Sequence, residues 1–190
     1  MEPRLSPSAY AMLGFLAFGE ASGYDLRRVA ADTVANFWAA ADSQIYPALT
    51  QLEAAGLVTS TDQPGSRGRQ VYRITPEGER ALDDWLRQPA RAPAFRHPAM
   101  IRLFFGWRLP AADLRLLIDR RRDQLREQLS GIERQRADAN GMLAALPEGS
   151  DVARKAAFGA LIIDGGVEIT AAELRWWDTV AERLLPAANH

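Results

Sequence analysis

Cysteine is absent from the 190-residue sequence, which excludes disulfides, thiolate nucleophiles and sulfur-ligated metal sites and suits a cytoplasmic protein. Histidine occurs only at His97 and His190, too sparsely for an HExxH metal motif. No GxSxG nucleophile motif is present, and the loop Gly65-Ser66-Arg67-Gly68-Arg69 lacks the lysine and following helix of a phosphate-binding P-loop. Carboxylates are plentiful, yet they stand beside arginines on helical stretches, as solvated faces do. No enzyme, cofactor or metal site is expected. Neither charge dominates: 23 basic against 24 acidic residues leave a formal net charge of -1. Attraction to nucleic acid must therefore come from local placement. No apolar run approaches the roughly 20 residues of a membrane span. The run from Ala9 to Phe18 follows Glu2 and Arg4 rather than a basic leader and lacks a small-residue cleavage site, so it is not read as a signal peptide.

What is present is a chain 47% hydrophobic, enough to bury a real core. Ser6-Pro7 is a helix start, a hydroxyl to cap free amides followed by a proline that needs no amide partner. Leu5, Ala9, Met12, Leu13 and Leu16 then recur at helical spacing. After the break from Gly19 to Gly23, Ser22 caps a second helix reaching about Phe37, with Leu26, Val29, Ala30, Thr33 and Phe37 on one stripe. A third helix starts at Ser43 and ends at Gly56, a C-terminal glycine. The period then changes. Residues 57–61 and 70–75 are rich in β-branched and aromatic side chains around a glycine-rich polar turn, which predicts a two-stranded β-hairpin. Pro76 opens a fourth helix that Pro89 ends.

A proline-rich linker is expected over residues 89–98, dividing a head (1–88) from a helical tail (99–190). The tail reads as a short helix near 100–107, one of roughly 50 Å from Pro110 to about Leu146, and a last from about Val152 to Leu185. Leu114, Ile118, Leu125, Leu129 and Ile132 mark the apolar side of the long helix. Phe158, Ile162, Ile169, Ala172, Trp176, Val180 and Leu184 mark a stripe on the last, read as an intersubunit bundle. Arg120, Arg121 and Arg122 lie near Asp119, Asp123 and Glu127 and are read as exposed charges paired along their own helix.

The third helix carries the functional question. With Ile45 at zero on a helical wheel, Leu49, Leu52 and Gly56 fall within about 40° of it and face the core. Ser43, Pro47, Thr50 and Gln51 lie opposite, flanked by Gln44 and Tyr46. This short, hydrogen-bonding face suits the approach of a helix N-terminus to base edges and phosphates. It equally suits a surface helix with ordinary cap chemistry. Arg67 and Arg69 on the hairpin turn favour the first reading, since arginines on a flexible tip suit phosphate contact or minor-groove insertion.

The motifs LSPSAYAMLGFL, SGYDL, SQIYPALTQLEAAGLV and GSRGRQVYRITPEGERAL, in order over about residues 5–88, resemble the PadR family of bacterial transcriptional regulators. The tail resembles, by architecture and length, the branch with an extended helical C-terminal domain. The resemblance implies a mostly α protein, an N-terminal winged helix-turn-helix with a hairpin wing on a long-helix dimerisation domain. It implies a cytoplasmic homodimeric repressor on a palindromic double-stranded operator, released by a small, often aromatic, molecule. Carried onto this chain, Ser43, Gln44, Tyr46, Pro47 and Thr50 would face DNA, with Arg67 and Arg69 on the wing. The head departs from a basic surface, holding eight arginines against eleven acids. The other class left open is a winged-helix module for protein contacts without DNA. Trp38, Phe104, Trp107 and Trp176, with His97 and Arg102 as polar partners, would line an effector pocket where head meets tail. Phe105 and Trp177 belong to the same aromatic group, whose alternative role is core packing.

Overall fold

The computed structural model describes residues 5–33, 44–62, 70–90 and 97–185, with side chains undescribed at 32 and 33. Two compact units divide the chain, Met1–Ala92 and Pro93–His190. None of the described helices is long and apolar enough to cross a membrane.

In the N-terminal unit the order is α1 (Pro7–Leu16), β1 (Ala21–Ser22), α2 (Gly23–Thr33), α3 (Ile45–Ala54), β2 (Val58–Asp62), β3 (Gln70–Ile74) and α4 (Pro76–Arg87). Local chemistry sets the helix starts. Ser6 Oγ accepts from Ala9 N. Thr75 Oγ1 accepts from Gly78 N. At α2, Ser22 Oγ accepts from Asp25 N while Asp25 Oδ2 accepts from Ser22 N, a reciprocal box that satisfies two free donors. Gly56 ends the run after α3 at φ +69°, a left-handed geometry that costs other residues about 1 kcal/mol.

The sheet holds three strands in the order β1-β3-β2, all antiparallel. The expected two-stranded hairpin is present, and a third short strand joins it. Ala21 and Ser22, read as part of a helix break, pair with Tyr72 and Val71. The hairpin itself runs in register from Val58↔Ile74 to Asp62↔Gln70. Its turn, with Arg67 and Arg69, lies outside the described residues.

The core of this unit is built from one face of each element: Ala9, Met12, Leu13 and Leu16 of α1, Leu26 of α2, Ile45, Ala48, Leu49 and Leu52 of α3, Val58, Tyr72 and Leu82. Tyr10 and Trp85 stack with centroids 4.8 Å apart and planes 7° from parallel, joining α1 to α4. Burial raises the Tyr72 phenol above its ordinary pKa, with Glu53 adding to the effect.

The C-terminal unit comprises α5 (Pro98–Phe104), a 3-10 turn (Gly106–Arg108), α6 (Ala111–Ala144) and α7 (Asp151–Leu184). The two long helices have 34 residues each, about 51 Å of helix. They pack antiparallel along two apolar stretches, one of Ile118, Leu125, Trp177 and Val180, the other of Ile132, Ile163 and Val167. The stripe expected on α7 lies mostly outside the contact with α6. Phe158, Ile162, Ile169, Ala172, Trp176 and Leu184 are exposed, and only Val180 of that set is buried. Because α7 is apolar on more than one side, Ile163, Val167 and Trp177 form the face that meets α6.

Arg121 and Arg122 also depart from expectation. They bridge the helices instead of pairing mainly along α6. Arg121 donates through Nη2 to Glu173 Oε1 at 2.7 Å. Arg122 donates through Nε to Asp178 Oδ1 at 2.7 Å and through Nη1 to Asp119 Oδ1 at 3.2 Å. Hydrogen bonding to Asp178 holds the Arg122 pKa above its ordinary value against the opposing effect of burial.

Candidate nucleic-acid interface

α3 owes its placement to a division of its surface. Ile45, Ala48, Leu49 and Leu52 enter the core, so Tyr46, Pro47 and Thr50 are left exposed on other sides. Gln51 is half-buried rather than fully outward, and Gly56, expected on the core side, is exposed. The helix begins at Ile45 with Gln44 as its cap residue, two positions after Ser43, which lies outside the described residues. Pro47 is therefore the third helical residue. Its missing amide would have had no partner within α3, so the proline costs the helix no internal hydrogen bond.

Three contacts fix the exposed side chains. Thr50 Oγ1 donates to Tyr46 O at 3.1 Å, which spends its proton on the backbone and leaves its oxygen as an acceptor. The Tyr46 ring lies across the start of α2, so close that a Cβ at Gly23 would stand 2.7 Å from Cε1. Gly23 therefore leaves room for the ring, and Tyr46 remains 57% exposed. Gln44 makes no side-chain cap bond to α3. Its Oε1 instead accepts from Ser8 Oγ of α1 at 2.9 Å.

The sheet adjoins this helix through Ser60 Oγ of β2, which donates to Glu53 Oε1 of α3 at 2.5 Å. Arg73, on β3, is paired to Glu20 at 2.6 Å. Hydrogen bonding to Glu20 raises the Arg73 pKa, but both side chains are largely exposed and the pair adds little stability. Sequence reasoning missed Glu20, whose separation of 53 residues from Arg73 hides the pair.

Residues 12–84 match the Transcriptional regulator PadR-like family, and residues 95–184 match the Virulence activator alpha C-term family. The N-terminal unit thus carries a PadR-like regulator domain. Its N-terminal part is 40% identical over 79 residues to the negative transcriptional regulator PadR of Bacillus subtilis (strain 168). That stretch covers 40% of this chain and 43% of the relative, so less than half of the relative's length is matched. Among solved structures, Bacillus subtilis PadR in complex with operator DNA is similar at TM-score 0.75 and 25% identity, over 93% of this chain and 98% of that one. The same Bacillus protein in complex with p-coumaric acid gives 0.72 and 24%, over 95% and 98%. The Vibrio cholerae virulence activator AphA gives 0.73 and 24%, over 93% and 97%. PadR-like winged-helix architecture with a helical C-terminal region thus runs through nearly the whole chain.

The residues expected to meet an effector have varied surroundings. Trp38 lies outside the described residues. His97 Nδ1 accepts from Met100 N, capping α5, and its Nε2 lies 3.0 Å from Glu173 Oε1. The same carboxylate oxygen accepts from Trp177 Nε1 at 3.2 Å and from Arg121. His97 is thus bound into a polar cluster that holds α5 against α6 and α7. Phe104 and Trp107 are exposed, Trp107 at 75%, which contradicts core packing for both. Phe105 is likewise exposed and meets Phe104 edge to face. The Arg108 guanidinium lies 5.4 Å from the Trp107 ring centroid. Arg102 is exposed. Trp176 sits edge-on to the fully buried Trp177.

Proposed function

We propose that this protein is a homodimeric repressor that binds a palindromic double-stranded operator through the N-terminal turns of α3 and the hairpin, and that a small aromatic molecule releases it. The observation that carries this reading is the two-sided nature of α3. One side is committed to the core by Ile45, Ala48, Leu49 and Leu52, while Tyr46, Pro47 and Thr50 stand exposed at its start. Small polar side chains and an aromatic hydroxyl there suit a major groove, whose base edges offer donors, acceptors and thymine methyls. A domain matching a family of transcriptional regulators, and a similar structure solved on operator DNA, support the same direction. Ser43 and Gln51 complete the contact face, and Arg67 and Arg69 act on phosphates.

The α7 surface supports the dimeric reading. Phe158, Leu161, Ile162 and Ile169 are exposed along a helix whose other side already holds α6. A row of large apolar side chains in water favours a second copy. Two heads joined this way read two half-sites about 34 Å apart, which makes the operator an inverted repeat. Phe104, Trp107, Trp176 and Arg102 are the side chains proposed to meet an aromatic effector. His97 serves by holding α5 in place.

The test is fluorescence anisotropy on duplex from immediately upstream of the protein's own gene, across a salt series. Arg67→Ala/Arg69→Ala is expected to weaken binding on all sequences and to reduce the slope of log K against log salt by about 2 per protomer. Tyr46→Ala is expected to change which sequence is preferred. An unchanged slope in the double arginine variant refutes the wing assignment.

A further inference from the structure

The amide of Gln44 is held by a residue outside α3. Ser8 is the second residue of α1 and is nearly buried, at 7% exposure. Its hydroxyl donates to Gln44 Oε1 at 2.9 Å across 36 positions of sequence. Gln44 itself is exposed and stands at the start of α3. A glutamine amide has one acceptor end and one donor end. With the oxygen turned to α1, the free end is the NH2 group.

Resting on the DNA reading above, we propose that Ser8 is a specificity-determining positioning residue: it fixes the amide so that Gln44 presents donors alone, selecting a base that offers acceptors to the major groove. Guanine offers two, N7 and O6, whereas adenine pairs an acceptor with the N6 amine and cytosine shows a donor. An unrestrained glutamine favours adenine because it can donate to N7 and accept from N6. The Ser8 contact disfavours that option by turning the oxygen toward α1, so that acceptor and donor are not set side by side against one base. The geometry thus converts a residue that ordinarily reads adenine into one that reads guanine. The buried position of Ser8 keeps the hydroxyl itself away from DNA, so its influence passes wholly through Gln44.

The experiment uses the full chain and a random duplex pool to obtain its preferred operator. Competition binding then follows with every half-site position changed in turn, for wild type, Ser8→Ala, Ser8→Thr and Gln44→Ala. Wild type is expected to prefer guanine over adenine by roughly tenfold at one position of each half-site, the effect of one well-placed base contact. Gln44→Ala erases that preference. Ser8→Ala reduces it to about twofold or reverses it toward adenine, because the freed amide can turn over. Ser8→Thr, which keeps the hydroxyl, restores it. Thermal melting of Ser8→Ala separates this from a folding defect, since partial unfolding lowers affinity for all sequences alike. The inference is overturned if Ser8→Ala keeps the wild-type preference at every position, or if the Gln44-dependent position selects adenine or cytosine in wild type. If wild type enriches no duplex at all, the DNA reading itself fails and takes this one with it.

Discussion

Trp177→Ala is expected to destabilise the C-terminal unit by about 3–5 kcal/mol, in the range found when a large buried aromatic is truncated. Trp177 is fully buried among Ile118, Leu125 and Val180, with Leu114, Leu117 and Leu174 around them. Two losses combine. The cavity left between α6 and α7 is lined by Ile118, Leu125 and Val180, each much smaller than the lost indole, and Glu173 Oε1 loses the indole donor at 3.2 Å. Against a typical total of about 5–15 kcal/mol this is a large fraction. Trp176→Ala, one position along and 40% exposed, is the matched control and should cost far less. Urea denaturation at one fixed protein concentration, followed by far-ultraviolet circular dichroism, measures both variants, because association of copies would otherwise shift the midpoint. Equal effects of the two substitutions would contradict the assignment of Trp177 to the core.

Gly78→Ala is expected to destabilise the N-terminal unit by about 3 kcal/mol, the upper part of the usual overpacking range. Helix propensity alone argues the other way, since alanine is favoured over glycine inside a helix by about 1 kcal/mol. Geometry decides. A Cβ at Gly78 would lie 2.1 Å from Leu57 O and 2.8 Å from Ile74 Cγ1. The carbonyl belongs to backbone that also accepts from Thr75 N at 3.0 Å. Relief of the clash moves the start of α4 and weakens the Thr75 cap with it. Gly141→Ala, in α6 with open space around it, supplies the opposite sign and should stabilise by about 1 kcal/mol or less. Denaturant midpoints for the two variants shifting in the same direction would contradict this account.

The parts of the fold readable from sequence were those with local causes. Ser6-Pro7 and Thr75-Pro76 carry both cap and first helical residue, and the observed starts use them. Ile118, Leu125 and Ile132 repeat at seven, so one face of α6 was determined before its partner was known. The third helix was legible because three strongly apolar residues, Ile45, Leu49 and Leu52, fall within one narrow sector. What escaped reading depended on partners distant in sequence. Ala21 and Ser22 are too short a strand to show alternation, and only β3 makes them one. Arg121 and Arg122 have acids on their own helix as well as on α7, and the choice between them is made by packing of α6 on α7. On α7, Ile162 and Ile163 are adjacent, so two apolar stripes one residue apart compete, and the one facing α6 is known only once α6 is in place. Ser8 and Gln44 carry no motif in common. Their contact exists because α1 and α3 share the core through Ala9, Met12, Ile45 and Leu49.

The account rests on the exposed first turns of α3 reading duplex DNA as one half of a symmetric pair. Selection from a random duplex pool with the intact protein, followed by sequencing of the retained fraction, tests this most directly. An enriched inverted repeat, with half-sites about one helical turn apart and enrichment lost in Tyr46→Ala, is the expected result. Retention of duplex without any enriched sequence, or of none, would contradict it.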